Sequence, residues 1–166
     1  MSRRTQEEIK KESHIYFTQF DKDCNGSISF DEFIQFFYWK FKIERYSEAI
    51  NNMINDIFTL VDGQGLLNKK DEKLNEDEFY RMYKFLPIEI NDPKIDIFNV
   101  IYNMADTDGD GVVSRKEMVQ FLKKILEVYN KKEVERMIER LDTNNDNILQ
   151  QEEFIQIYNE DDEDDE

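Results

Sequence analysis

Apolar residues return at helical intervals along nearly the whole chain, and the returns come in pairs. Ile9, Tyr16, Phe17 and Phe20 share one face of a first segment, answered by Phe33, Phe36 and Phe37. Ile50, Ile54, Ile57, Phe58 and Val61 form a second stripe, answered by Phe79, Met82 and Tyr83. Phe98, Ile101 and Tyr102 are followed by Met118, Phe121, Leu122 and Ile125. Val134, Met137, Ile138 and Leu141 are followed by Phe154, Ile157 and Tyr158. A polar stretch separates the members of each pair. The pattern predicts four helix–loop–helix units repeating about every forty residues. One such unit cannot bury its apolar face alone, so the units are expected to pair.

Start and stop residues agree with this division. Thr5 and Glu8 have capping-box spacing, as do Asn130 and Glu133. Ser47 can cap the third helix, and Asp92-Pro93 is a cap followed by proline at the first helical position. Pro87 should end the helix before it. Around it Phe85, Leu86, Ile88 and Ile90 make an apolar join that would rather pack than swing. The helix from residue 33 to 43 is apolar on more than one face and carries Trp39. It is expected to be buried against the other half of the molecule, with Trp39 shielded from water; docking a partner is the alternative.

Three of the polar stretches share a chemical pattern. Residues 21–32, 106–117 and 142–153 are each twelve long, with short oxygen side chains at positions one, three and five and Glu at twelve. Ca²⁺ takes six to eight hard oxygen ligands in a flexible shell, and this spacing supplies them from a tight turn. The expected ligands of the first loop are Asp21, Asp23, Asn25 and Glu32, with the Ser27 carbonyl. Ser29, at position nine, is expected to hold a water. The next set is Asp106, Asp108, Asp110 and Glu117 with the Val112 carbonyl, and the last is Asp142, Asn144, Asp146 and Glu153 with the Ile148 carbonyl. Gly26 and Gly111 supply the turn, where the last loop has Asn147, a residue that tolerates the left-handed conformation.

These windows identify the chain as a member of the EF-hand superfamily, similar in scale to calmodulin, to the sarcoplasmic calcium-binding proteins and to the small calcium-binding proteins of protists. The resemblance implies an all-α fold: two pairs of EF-hand units, with short antiparallel bridges between paired loops at position eight. It pairs Ile28 with Leu74 and Val113 with Leu149. It implies that each closing glutamate gives two oxygens, that Cys24 points outward, and that three calcium ions bind, with magnesium able to take the sites when calcium is low. The second loop departs from the pattern. Between Asp62 and Glu78 it is five residues too long, with Leu66 and Leu67 at ligand places and Lys69, Lys70 and Lys73 nearby. It is expected to be a structural partner only; the alternative is a non-standard cage closing on Asp62, Asn75 and Glu78. The expected domains are residues 1–86, with one working hand and one degenerate hand, residues 87–159, with two working hands, and an acidic disordered tail at 160–166.

Composition narrows the function further. A net charge of −16 excludes nucleic acid as a partner and favours cations or basic segments. The single cysteine forms no intrachain disulfide, and no segment is apolar and long enough to cross a membrane. Ser2 stands where the myristoylation motif needs glycine, and no apolar leader precedes it, so a cytoplasmic monomer is expected. His14, the only histidine, has no nucleophile or zinc-type cluster to work with, so no catalysis is expected. The methionines are few and the inner faces are mostly Phe, Tyr, Ile and Leu, which disfavours a promiscuous calmodulin-like groove. A calcium buffer or a sensor of narrow target range is expected. The alternative is a calmodulin-like sensor that regulates a target through a basic amphipathic helix.

Overall fold

A computed structural model of the chain describes residues 4–62, 71–126 and 130–158. The acidic stretch 160–166 and most of the long second loop lie outside the described residues. The expected helices are present: α1 (Gln6–Phe20), α2 (Phe30–Phe41), α3 (Glu48–Val61), α4 (Glu76–Tyr83), α5 (Pro93–Ala105), α6 (Arg115–Ile125), α7 (Lys131–Leu141) and α8 (Gln151–Phe154), the last continuing as a 3-10 turn over Ile155–Tyr158. Thr5 caps α1 in a reciprocal box with Glu8, Ser47 caps α3, and Asp92 caps α5 with Pro93 behind it. At α7 the expected box does not form: Asn130 Oδ1 accepts from the Lys132 amide at 3.1 Å.

Short strands join the loops in pairs. β1 (Ile28–Ser29) runs antiparallel to β2 (Lys73–Leu74), with Ile28 opposite Leu74. β3 (Val113–Ser114) runs antiparallel to β4 (Ile148–Leu149), with Val113 opposite Leu149. The four position-eight residues are fully buried, so each bridge also anchors the top of a core. In the first pair that core is aromatic: Phe36 packs on Phe20, Phe37 and Phe79, and Phe58 packs edge-on against Phe30 and Phe33. In the second, Phe154 is ringed by Phe98, Tyr102 and Phe121. Burying one such side chain fully contributes about 1.5–3 kcal/mol, so these clusters dominate the cohesion of each pair.

The two pairs meet differently from the sequence expectation. The helix that packs on both sides is α3, which lies against α2 and α4 of its own pair and against α5 and α6 of the other. Its sequence allows this, because Met53, Ile54, Ile57, Phe58, Leu60 and Val61 are all buried. Phe58 faces α2, and on a 3.6-residue turn Met53, Asp56 and Leu60 fall on the opposite side. There Tyr158 Oη donates to Asp56 Oδ2 at 2.6 Å, tying the end of the fourth hand to the second. Burial raises the Asp56 carboxyl to about 6, against the lowering effect of that bond, and pushes the Tyr158 hydroxyl well above its ordinary range.

Trp39 is accordingly not shielded. It is 49% exposed, its ring resting on Tyr16 and Phe20 at 5.2 and 5.6 Å. Two-sided burial falls to the helix whose apolar residues encircle it over two full turns. In α2 the core takes Phe33, Phe36, Phe37 and Phe41 and leaves Trp39 at the rim. The join behaves in part as expected: α4 ends before Pro87 and Leu86 is buried, but Ile88 is exposed.

Candidate metal centres

Each loop grows out of a helix end. Asp21, Asp106 and Asp142 are C-caps, their amides bonded to the carbonyls of Phe17, Tyr102 and Ile138, and their side chains turn into the loop. In the first loop Asp21 Oδ1 accepts from the Asn25 amide at 3.0 Å, and Oδ2 from the Gly26 amide at 2.9 Å. Gly26 has φ +80°, which a side chain would strain. Glu32 closes the loop: Oε1 accepts from the Lys22 amide at 2.8 Å, and Oε2 from the Ser29 amide and hydroxyl at 2.9 and 2.7 Å. Asp21, Asp23 and Glu32 bring one oxygen each within 4.8 Å of one another.

The third hand repeats this with more carboxylate. Asp106 accepts from the amides of Gly109 and Gly111 at 2.7 and 2.9 Å, and Asp110 accepts from the Val112 amide at 3.0 Å. Glu117 takes Thr107 on one oxygen and Ser114 on the other. Asp106, Asp108 and Glu117 converge within 4.8 Å. Burial works to raise the Glu117 carboxyl, but the bonds from Ser114 and Thr107 prevail and hold it at about 2. For Glu32 burial is likewise outweighed, by Ser29 and Lys22, and its carboxyl is lowered. Both closing residues are therefore anionic and fixed in direction, which is what a hard cation requires.

In the fourth hand Asp142 accepts from the Asp146 and Asn147 amides at 3.1 and 3.0 Å, and Glu153 accepts from the Thr143 amide and hydroxyl. Asn147 sits at φ +62°, filling the place of glycine as its type allows. Position three is Asn144, so this loop brings an amide oxygen where the others bring a third close carboxylate. Its Nδ2 instead donates to Asp146 Oδ2 at 3.0 Å. At position seven, Ser27 and Val112 immediately precede β1 and β3, and Ile148 opens β4, opposite Ser114. All the side chains named from sequence thus lie in their loops, with Asp21, Asp106 and Asp142 at the root and Glu32, Glu117 and Glu153 across from them. Cys24 is exposed in the left-handed region.

Two features escaped the sequence reading. Ser29, expected to hold a water, has a structural role as well: its hydroxyl donates to Glu32 Oε2 at 2.7 Å, and it caps α2 in a reciprocal box. Ser114 with Glu117 and Asn75 with Glu78 do the same. The signal was the capping-box spacing inside the loops, Ser29 to Glu32, Asn75 to Glu78 and Ser114 to Glu117, which makes position nine the cap and position twelve its partner. The second feature lies in the second hand. Asp62 accepts from the Asp71 and Glu72 amides at 3.2 and 3.1 Å, as Asp21 does from Asn25 and Gly26. Glu72, at φ +61°, fills the glycine place, so Asp71 falls at position five and Glu78 at twelve. Counting back from Leu74 rather than forward from Asp62 recovers this register. Asp62 and Glu78 are both buried.

Comparison with known proteins agrees with this geometry. An EF-hand domain pair model matches residues 91–159, and a second EF-hand domain pair model matches residues 10–38. The chain is 32% identical over 144 residues to Calcium-binding protein LPS1-alpha of Lytechinus pictus, covering 84% of this chain and 41% of that protein. It is 27% identical over 155 residues to the calcineurin B subunit of Naegleria gruberi, covering 90% and 78%. A match to Probable calcium-binding protein CML17 of Oryza sativa subsp. japonica is 31% identical over 58 residues, covering 35% of each. The chain thus spans less than half the length of LPS1-alpha and of CML17.

Proposed function

The chain belongs to the EF-hand superfamily and binds calcium through its EF-hands, and from that premise we propose that it takes three ions and works as a calcium sensor of narrow target range. The ligands in this reading are the side chains of Asp21, Asp23, Asn25 and Glu32, of Asp106, Asp108, Asp110 and Glu117, and of Asp142, Asn144, Asp146 and Glu153. The carbonyls of Ser27, Val112 and Ile148 complete them. The observation that carries the sensor reading is the position of Trp39. Glu32 lies in the first turn of α2 and Trp39 two turns further along the same helix. Whatever draws Glu32 toward Asp21 tilts α2 as a rod and moves a half-exposed indole against Tyr16 and Phe20. A pure buffer has no use for such a ring at the surface. The packing of α3 on both pairs favours a fixed arrangement over two independent lobes, which supports few targets rather than many. A relative whose name makes it a subunit points the same way.

Calcium titration followed by Trp39 emission and by an apolar dye tests this. Calcium should shift the emission and raise dye binding. Glu32→Gln should abolish the Trp39 response, and Glu153→Gln should leave most of it. A buffer would bind the ions with neither optical change.

A further inference from the structure

We propose that the mouth of the N-terminal pair, around Trp39, docks an acidic protein segment that carries a bulky apolar anchor; this rests on the sensor reading and specifies its target. The join between the pairs lies across this mouth. Leu86 is buried, and its carbonyl accepts from Arg4 Nη2 at 2.7 Å. Ile88 stands exposed at 57%, with a cavity on either side that it helps to line. One, of about 560 Å³, includes Arg4, Ile9 and Lys84. The other, of about 670 Å³, includes Trp39, Lys40, Lys42 and Glu89. Each is large enough for more than one bulky side chain.

The charge here runs against the rest of the molecule. In a chain of net −16, four cations line the two cavities, and Glu89 is the carboxylate among their lining residues. Glu12, close by, is already bridged by Arg4 at 2.9 Å. Among the described residues Lys40 and Lys42 form no ion pair. Lys40 is half-buried, and both its burial and the nearness of Arg4 disfavour its ammonium, against the pull of Glu12. An incoming carboxylate relieves that cost, while an incoming lysine adds to it. The apolar part of the site is equally specific: an exposed indole backed by two aromatic rings, lining one cavity with an exposed isoleucine, is the chemistry of an interface anchor. At physiological salt charges beyond about 8 Å are screened, so a short segment seated here feels these lysines more than the distant acids. An anionic bilayer would have to approach the whole acidic chain and is disfavoured.

The test uses the full calcium-loaded chain and two tryptophan-free helical peptides. Both carry leucine on one face; the other face is glutamate in one and lysine in the other. The glutamate peptide should saturate a blue shift of Trp39, and Lys42→Glu with Lys84→Glu should weaken it by about fivefold or more. The lysine peptide should leave Trp39 unmoved. Tighter action of the lysine peptide on Trp39 would overturn the charge assignment while sparing the sensor reading. Silence from both peptides would sink the docking surface, while the sensor reading would still stand or fall on the calcium response of Trp39. Two further results would name a different occupant and end the proposal. One is a Trp39 shift without peptide when residues 160–166 carry Gln and Asn for Glu and Asp, which would mean the chain's own terminus. The other is a shift that grows with protein concentration alone, which would mean a second copy.

Discussion

At the scale of single residues, charge count should rank the sites. The third loop offers four carboxylates, Asp106, Asp108, Asp110 and Glu117, where the first and fourth offer three each. Ligand charge tunes affinity in this motif over decades. Glu117→Gln should therefore remove the tightest binding event in calorimetry; if the tightest event survives, charge count does not set the order. Position nine has its own consequence. Ser114 caps α6 and also aims Glu117, so Ser114→Ala should cost about 1 kcal/mol of stability and weaken the third site. Thermal denaturation with and without calcium separates the two effects. A stability loss with unchanged calcium affinity would confine Ser114 to capping. The roots and closing glutamates of the loops were legible because coordination chemistry dictates residue type and spacing together. The pairing of Ser29 with Glu32 was written just as plainly, but as a helix-capping pattern, and was hidden by the metal reading of the same residue. Asp71 was hidden by the inserted residues, since the register survives only on the strand side of the loop.

At the scale of elements, every helix and both bridges could be read from apolar period, caps and the position-eight rule. The element that joins the pairs could not. Both α2 and α3 are apolar on more than one face, and periodicity alone does not say which face meets which neighbour. The difference lies in Asp56, a carboxylate among buried apolar residues, whose partner Tyr158 is 102 positions away. Its burial has a pH signature with a definite sign. The folded carboxyl sits near 6, above the ordinary value of 3.8. Its stabilising contribution is present in full below the ordinary value and is lost as pH rises through about 6. Between pH 5 and 7 the calcium-saturated protein should lose about 1 kcal/mol of stability through this one group. Asp56→Asn keeps an acceptor for Tyr158 and should flatten that part of the profile. Denaturant unfolding at both pH values measures it, and identical slopes in the two proteins would remove Asp56 from the account.

At the scale of the whole molecule, two aromatic cores are tied by α3 and topped by paired loops. A net charge of −16 leaves those loops strongly repulsive wherever carboxylates converge. Calcium should thus be a large part of what holds the molecule in one shape, and binding should raise its stability by mass action. All of this depends on where the ions sit and how many there are. Native mass spectrometry of the calcium-saturated chain, beside the triple variant Glu32→Gln, Glu117→Gln, Glu153→Gln, tests that most directly. Three ions on the parent chain and none retained by the variant is the expected result. A fourth saturable ion, or ions that persist in the variant, would mean that the second hand binds as well or that the closing glutamates do not define the sites.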